Sequence, residues 1–284
     1  MANGILIVDK PEGWTSQDVV SKLRGVFHER RIGHGGTLDP MATGVLPVFV
    51  GRATRGVEFF EHAEKTYCAR LKLGVTTDTQ DSMGNVLEET PVTSSVEDVE
   101  RVLKTFIGPI QQIPPMYSAI KIGGKKLYEL ARAGKEIERK PRQITVFSIE
   151  GKMLSPTEWE LLVHCSKGTY IRTLCHDIGR TLGCGAMMTA LRRIKAGEYG
   201  IESSYPLEEI VSCKEPEKLL IPTESLFAQY PRLSLSPAQE KCIRNGASFT
   251  YGGKGIFRVY GQEGEFLALC EMRDGRLTTI KSFF

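Results

Sequence analysis

Between residues 65 and 74 apolar and polar side chains alternate, which predicts a strand with one polar face. A short apolar run at 5–8 predicts a first strand, and the residues 9–14 predict a turn after it. Thr15 and Ser16 then cap a helix whose apolar positions 19, 20, 23, 26 and 27 share one face. A short helix is expected over 53–64, a polar, turn-rich loop over 77–84, and a second capped helix from Ser95-x-x-Asp98 to Ile107, stopped by Gly108-Pro109. Prolines keep 112–119 extended, and 125–133 reads as a helix ended by Gly134. Two strands, 143–149 and 159–165, flank a Ser-Pro turn, and a glycine turn at 168 leads into a helix that closes at Gly183. A further helix-like stretch lies over 207–213. From Tyr230 onward short apolar runs separated by glycines predict a small terminal β unit. The expected fold is therefore α+β, with a mixed, mainly antiparallel sheet over 1–230, an insertion at 117–142, and a β-rich domain over 231–284.

The length of 284 residues suits one large domain or a large and a small one, and 41% apolar residues is ordinary for a globular chain. The run at 5–8 is too short for a secretory leader, and no segment approaches the roughly 18 apolar residues of a membrane span, so neither is expected. Seven cysteines, an odd number without a C-x-x-C pair, point to a reducing, cytoplasmic setting. Charge adds the first functional clue. The net charge is only +3, yet residues 119–142 hold eight Lys or Arg against three Glu, so one segment carries more than the whole excess. Such a concentration favours a polyanionic partner.

Candidate chemistry centres on residues 33–47, Gly-His-Gly-Gly-Thr-Leu-Asp-Pro-Met-Ala-Thr-Gly-Val-Leu-Pro. Asp39 is the one carboxylate there, held before a proline in a glycine-rich loop that another molecule can approach closely. A second constellation is Lys167-Gly168-Thr169-Tyr170-Ile171-Arg172, which places Tyr170 and Arg172 at a helix start, and a third is Leu191-Arg192-Arg193. Other chemistries fit less well. Cys175-His176-Asp177 are neighbours on a helix and point in different directions, whereas a nucleophile and its base must meet. The five histidines, at 28, 34, 62, 164 and 176, lack metal-ligand spacing, and the glycine loop lacks the Gly-Lys-Ser/Thr of a phosphate-binding loop. Neither a metal nor a cofactor is expected.

In these motifs the chain resembles the TruB family of pseudouridine synthases, which isomerise a uridine in the T arm of transfer RNA. Five blocks agree in order between about residues 4 and 210: the opening K-P-x-G-x-T-S, the G-T-L-D-P loop, Tyr67 near the start of its strand, K-G-T-Y-I-R and L-R-R. The resemblance implies that Asp39 is the nucleophile and that Arg172 sits against it. It implies further that Tyr67 stacks on the uracil and accepts or relays a proton, and that Tyr170 and Leu191 pack the pocket. His34 would fill the space left by the flipped base, and Lys10 would support the catalytic loop. The basic segment looks like the family's thumb, with Lys121, Lys125, Lys126 and Arg132 as RNA contacts. The terminal unit looks like a reduced PUA-type RNA-binding domain.

The implied target is uridine 55 of tRNA. The match is to the bacterial standalone form, so a monomer without guide RNA, obligate protein partner or membrane attachment is expected. One rival is a non-catalytic RNA-binding or tRNA-folding protein, against which an acidic residue in an anionic ligand's pocket argues. A hydrolase using Cys175 or Ser166 is another, and it would have no use for a basic insertion.

Overall fold

The computed structural model describes residues 2–284. Its main sheet is built from β1 (Gly4–Lys10), β2 (Ile32–His34), β3 (Thr43–Val50), β4 (Lys65–Leu73), β5 (Gly108–Gln112), β6 (Arg142–Ser155), β7 (Glu158–Cys165) and β8 (Ala186–Ala196). Three helices, α1 (Ser16–Phe27), α2 (Val96–Thr105) and α3 (Ile171–Leu182), accompany it. Across the sheet the order is Tyr205–Pro206, β1, β3, β8, β4, β7, β6, β5, with β2 also on β3 and Tyr199–Gly200 on β8. Two contacts, β8 with β3 and Tyr205–Pro206 with β1, are parallel, and the other strand pairs are antiparallel. The fold is α+β with a mixed, mainly antiparallel sheet.

Local signals explain most of these elements. A capping box between Thr15 and Asp18 starts α1, whose Val19, Val20, Leu23 and Phe27 are buried. Ser95 and Asp98 do the same for α2, and Gly183, at φ 81°, ends α3 in the left-handed conformation. Strand β4 buries Tyr67, Ala69, Leu71 and Leu73 on one side, as its alternation predicts. The helices join that face in one large core, while Ile5, Ile7, Val45, Phe49 and Phe60 form a smaller core cluster of their own.

Several elements depart from the expectation. Asp9 and Lys10 continue β1 instead of turning, because Lys10 is paired with Gly44 across the sheet. The helix expected at 53–64 is a 3₁₀ segment, Gly51–Gly56, followed by a single turn, Val57–Phe60. The strand expected at 143–149 runs on to Ser155, its pairing with β7 interrupted by two register shifts. Lys125 and Lys126 do not lie in a helix: they pair with Lys121–Ile122 in a small hairpin, and the helix begins only at Leu127 and ends at Arg132. Gly123 and Gly124 both take positive φ in the two-residue turn, which their missing Cβ atoms permit. Strand β8 was not legible at all.

The terminal unit is a separate five-stranded sheet, ordered Arg232–Ser234, Ile256–Tyr260, Phe266–Arg273, Arg276–Ser282, Phe249–Thr250, with one helix, Pro237–Arg244. Its own core includes Leu235, Ile243, Val259, Leu267 and Leu277. Phe227 joins it to the larger part, packing on Phe59 from one side and on Phe266 and Phe283 from the other. Among the described residues no helix is long and apolar enough to cross a membrane.

Candidate active site

Asp39 lies in the connection between β2 and β3, and the opening motif of the chain fastens that connection from below. The Ser16 hydroxyl donates to the Leu38 carbonyl at 3.1 Å and accepts from the Leu38 amide at 2.9 Å. The Gly13 amide donates to the Pro40 carbonyl at 2.8 Å. Lys10, fully buried, donates from Nζ to the carbonyls of Pro11, Trp14 and Pro40. Burial lowers its pKa to about 8, with Asp39 pulling it back up. The residues on either side of Asp39 are thus tied down at backbone level, so its carboxylate has a fixed origin.

The Asp39 side chain remains 39% accessible, and its Oδ2 lies 3.1 Å from Nε of Arg172, whose own side chain is 6% accessible. Arg172 projects from the first turn of α3, as the sequence pattern predicts, with Tyr170 at the helix N-cap. Its remaining nitrogens are occupied. Nη1 faces Oδ2 of Asp81 at 3.4 Å and the Thr79 carbonyl at 3.3 Å, and Nη2 donates to the Tyr117 carbonyl at 2.9 Å. The guanidinium therefore ties together the Asp39 loop, the 77–84 loop and the root of the basic insertion. Burial raises the Asp39 carboxyl above the ordinary carboxylate range, Arg172 opposes that shift, and the negative charge of Asp81 adds to it.

Strands β4 and β8 bring Tyr67 and Leu191 to the same region. Tyr67 stands directly opposite Arg193, and Leu191 opposite Ala69. Burial pushes the Tyr67 hydroxyl above its usual value, and Arg193 acts in the opposite sense. His34 ends β2 instead of sitting in a flexible polar loop. Among the described residues its buried Nδ1 has no hydrogen-bond partner, and burial lowers its pKa with help from Arg193, which favours the neutral ring. Tyr170 is anchored through its backbone, which exchanges two hydrogen bonds with the buried Gln112 side chain.

Of the predicted RNA contacts, Lys121, Lys125 and Arg132 are exposed. Lys126 Nζ lies 3.2 Å from the Tyr128 hydroxyl, and Arg132 stacks over the same ring at 5.5 Å. Among the described residues none of the four makes an ion pair with Asp39, whose partner is Arg172. Cys175 is fully buried, its thiol pushed up to about 12, which rules it out as a nucleophile. Ser166 accepts from the Thr145 amide at 2.9 Å and closes a strand end.

Residues 24–171 match the family model described as TruB family pseudouridylate synthase (N terminal domain), and residues 172–228 match that of the tRNA pseudouridylate synthase B C-terminal domain. The chain belongs to the TruB family. A tRNA pseudouridine synthase B from Syntrophotalea carbinolica is 47% identical over 247 residues, 86% of this chain and 81% of the relative. The one from Clostridium kluyveri is 42% identical over 288 residues, 99% of each chain. Among solved structures, a Cbf5-Nop10-Gar1 complex contains a chain with TM-score 0.74 and 26% identity, aligned with 100% of this chain and 85% of its own length. The two TruB models meet between Ile171 and Arg172, inside the unbroken helix α3, so the division they draw does not coincide with the two sheets of the fold.

Two residues at this TruB site were not singled out from sequence. Asp81 lay in a stretch readable only as a polar loop, and Arg193 was passed over for its neighbour Leu191. The one available signal for Asp81 was a cluster of Asp78, Asp81 and glycine that a solvated turn explains equally well.

Proposed function

We propose that this protein isomerises uridine 55 in the T arm of tRNA to pseudouridine, with Asp39 as the nucleophile. The observation that carries this is the accessible Asp39 carboxylate, 3.1 Å from a guanidinium that is itself buried. Membership of the TruB family and relatives named tRNA pseudouridine synthase B support the choice of substrate. The rearrangement exchanges an N–C glycosidic bond for a C–C bond within one nucleotide, so it needs a nucleophile and a proton relay. The ionised carboxylate serves for attack at the sugar C1′ or at C6 of the base. Flipping the uridine out of the folded T loop costs a few kcal/mol, and His34, at a strand end, occupies the vacated space. Tyr67 lies against the base, and Tyr170 and Leu191 shape the pocket around it. Substrate recognition is built into the chain, with no guide RNA: the basic hairpin and helix grip the T arm, and the terminal sheet acts as a PUA-like RNA-binding domain.

A tRNA transcript labelled with [5-³H]uridine should release tritium to solvent when treated with the pure protein, and replacing uridine 55 by cytidine should abolish that release. Undiminished release from the substituted transcript would move the target to another position.

Lys121, Lys125, Lys126 and Arg132 test the grip. Changing all four to Gln should flatten the plot of log affinity against log salt by about two to four, because each lost phosphate contact removes about 0.7 to 0.9 from the slope. Single-turnover rates at saturating protein should fall far less than affinity. An unchanged salt slope would show that the segment is a solvated face.

A further inference from the structure

Arg193 heads the fully buried side chains of this protein by volume, at 1% exposure. Arg172 has two carboxylates to balance it, yet among the described residues Arg193 makes no ion pair. Its Nε donates to the Val45 carbonyl at 2.6 Å and its Nη2 to the Gly36 carbonyl at 3.1 Å. Neutral donors can serve two carbonyls, whereas a buried charge without a partner carries a desolvation penalty of several kcal/mol. Support of the loop therefore does not account for a guanidinium at this position. What the charge faces does. Arg193 stands directly across the β4–β8 pair from Tyr67, both side chains buried, and its charge favours the ionised phenol against that burial.

We propose that Arg193 is the counter-cation that lets Tyr67 exist briefly as a phenolate during isomerisation. The proposal rests on the isomerase reading and extends it by one residue. As Asp39 bonds to C1′, the N1–C1′ bond breaks with its electron pair staying on the uracil, and the Tyr67 phenol gives its proton to N1. The phenolate then persists against Arg193 while the base turns and C5 bonds to C1′, releasing the Asp39 carboxylate. It finally takes up the proton that C5 must lose to restore the ring. One proton leaves Tyr67 and one returns, the net transfer is from C5 to N1, and neither an oxidant nor a reductant is involved. Arg193 acts through Tyr67 and is a positioning residue, not a group that touches the reacting atoms. A permanent nearby cation favours the anionic phenol, most strongly where water is excluded.

The test compares Arg193→Met, which removes the charge at similar volume, with Arg193→Lys, which keeps it. Both are assayed by single turnover at saturating protein on tRNA carrying uridine or [5-²H]uridine at the target position, with melting curves to check folding. Arg193→Met should be slower by about 100-fold, the scale of lost acid–base assistance. Its deuterated substrate should react several-fold slower than the ordinary one, an isotope effect exceeding that of the wild type, because proton loss from C5 has become limiting. Arg193→Lys should recover most of the rate. Tyr67→Phe, with Arg193 untouched, should show the same enlarged isotope effect, and this arm stands even if both Arg193 variants fail to fold. A slow Arg193→Met without an enlarged isotope effect would reduce Arg193 to a support for the loop, and its absence in Tyr67→Phe would overturn the proton transfer altogether. Wild-type protein that forms no pseudouridine would instead remove the isomerase reading, a distinguishable failure.

Discussion

Asp39→Asn should abolish pseudouridine formation, by at least about 10⁴-fold, while tRNA still binds. The amide has nearly the same size and leaves Arg172 its second carboxylate, Asp81, so the guanidinium does not lose its last partner. Loss of the nucleophile is then separated from loss of structure. Removal of a negative charge from a surface that receives a polyanion should leave affinity the same or slightly higher. Stability should also be maintained, and the sign can be worked out. The folded-state pKa of Asp39 is raised, so between the ordinary carboxylate value and the raised one the folded protein binds more protons than the unfolded chain. Stability therefore falls as pH rises through that window, and above it the ionised Asp39 is a mild liability that the neutral amide removes. Melting curves at neutral pH should show an unchanged or higher midpoint. Substantial turnover by the purified variant would sink the assignment of Asp39 as nucleophile.

Arg172→Met should damage both activity and stability. It strips the cation from Asp39, leaves the nearly inaccessible Asp81 carboxylate without a counter-charge, and frees the carbonyls of Thr79 and Tyr117. Breaking a buried ion pair from one side costs about 3 to 5 kcal/mol. The double change Arg172→Met/Asp81→Asn should recover much of that stability, since the stranded charge is gone, but little of the activity, since Asp39 still has no cation. The residual activity of the single variant should also need a higher pH. Arg172 lowers the Asp39 pKa against burial, so without it the acid limb of the rate profile moves upward. An acid limb that stays in place would show that Arg172 does not set the ionisation of Asp39, and equal recovery of activity and stability in the double variant would recast the pair as purely structural.

Much of this architecture was legible before any coordinates because it rests on interactions between near neighbours in the chain. The capping boxes at Thr15 and Ser95, the alternation along 65–73 and the glycine that ends α3 each involve groups a few residues apart, and all of them appear in the structure. The Asp39 loop and the helix start at Tyr170 and Arg172 were readable for the same reason, each motif being local and complete.

What the sequence did not determine is made by distant contacts. Strand β8 escaped notice because its pairing with β4 shifts register at two places, between Met188 and Ala190 and between Arg193 and Lys195, which breaks the period of two that marks a strand. It also buries Arg193, a residue that composition assigns to the surface. Asp81 meets Arg172 from a loop 91 residues away, held there by the exchange of backbone hydrogen bonds between that loop and Met188 of β8. The chain by itself therefore determined the capped helices, the strand at 65–73 and the local form of the Asp39 loop. The tertiary structure alone decided which charges are buried, which of them are paired, and that Tyr67 faces an unpaired cation, because desolvation and ion pairing depend on neighbours that only folding brings together.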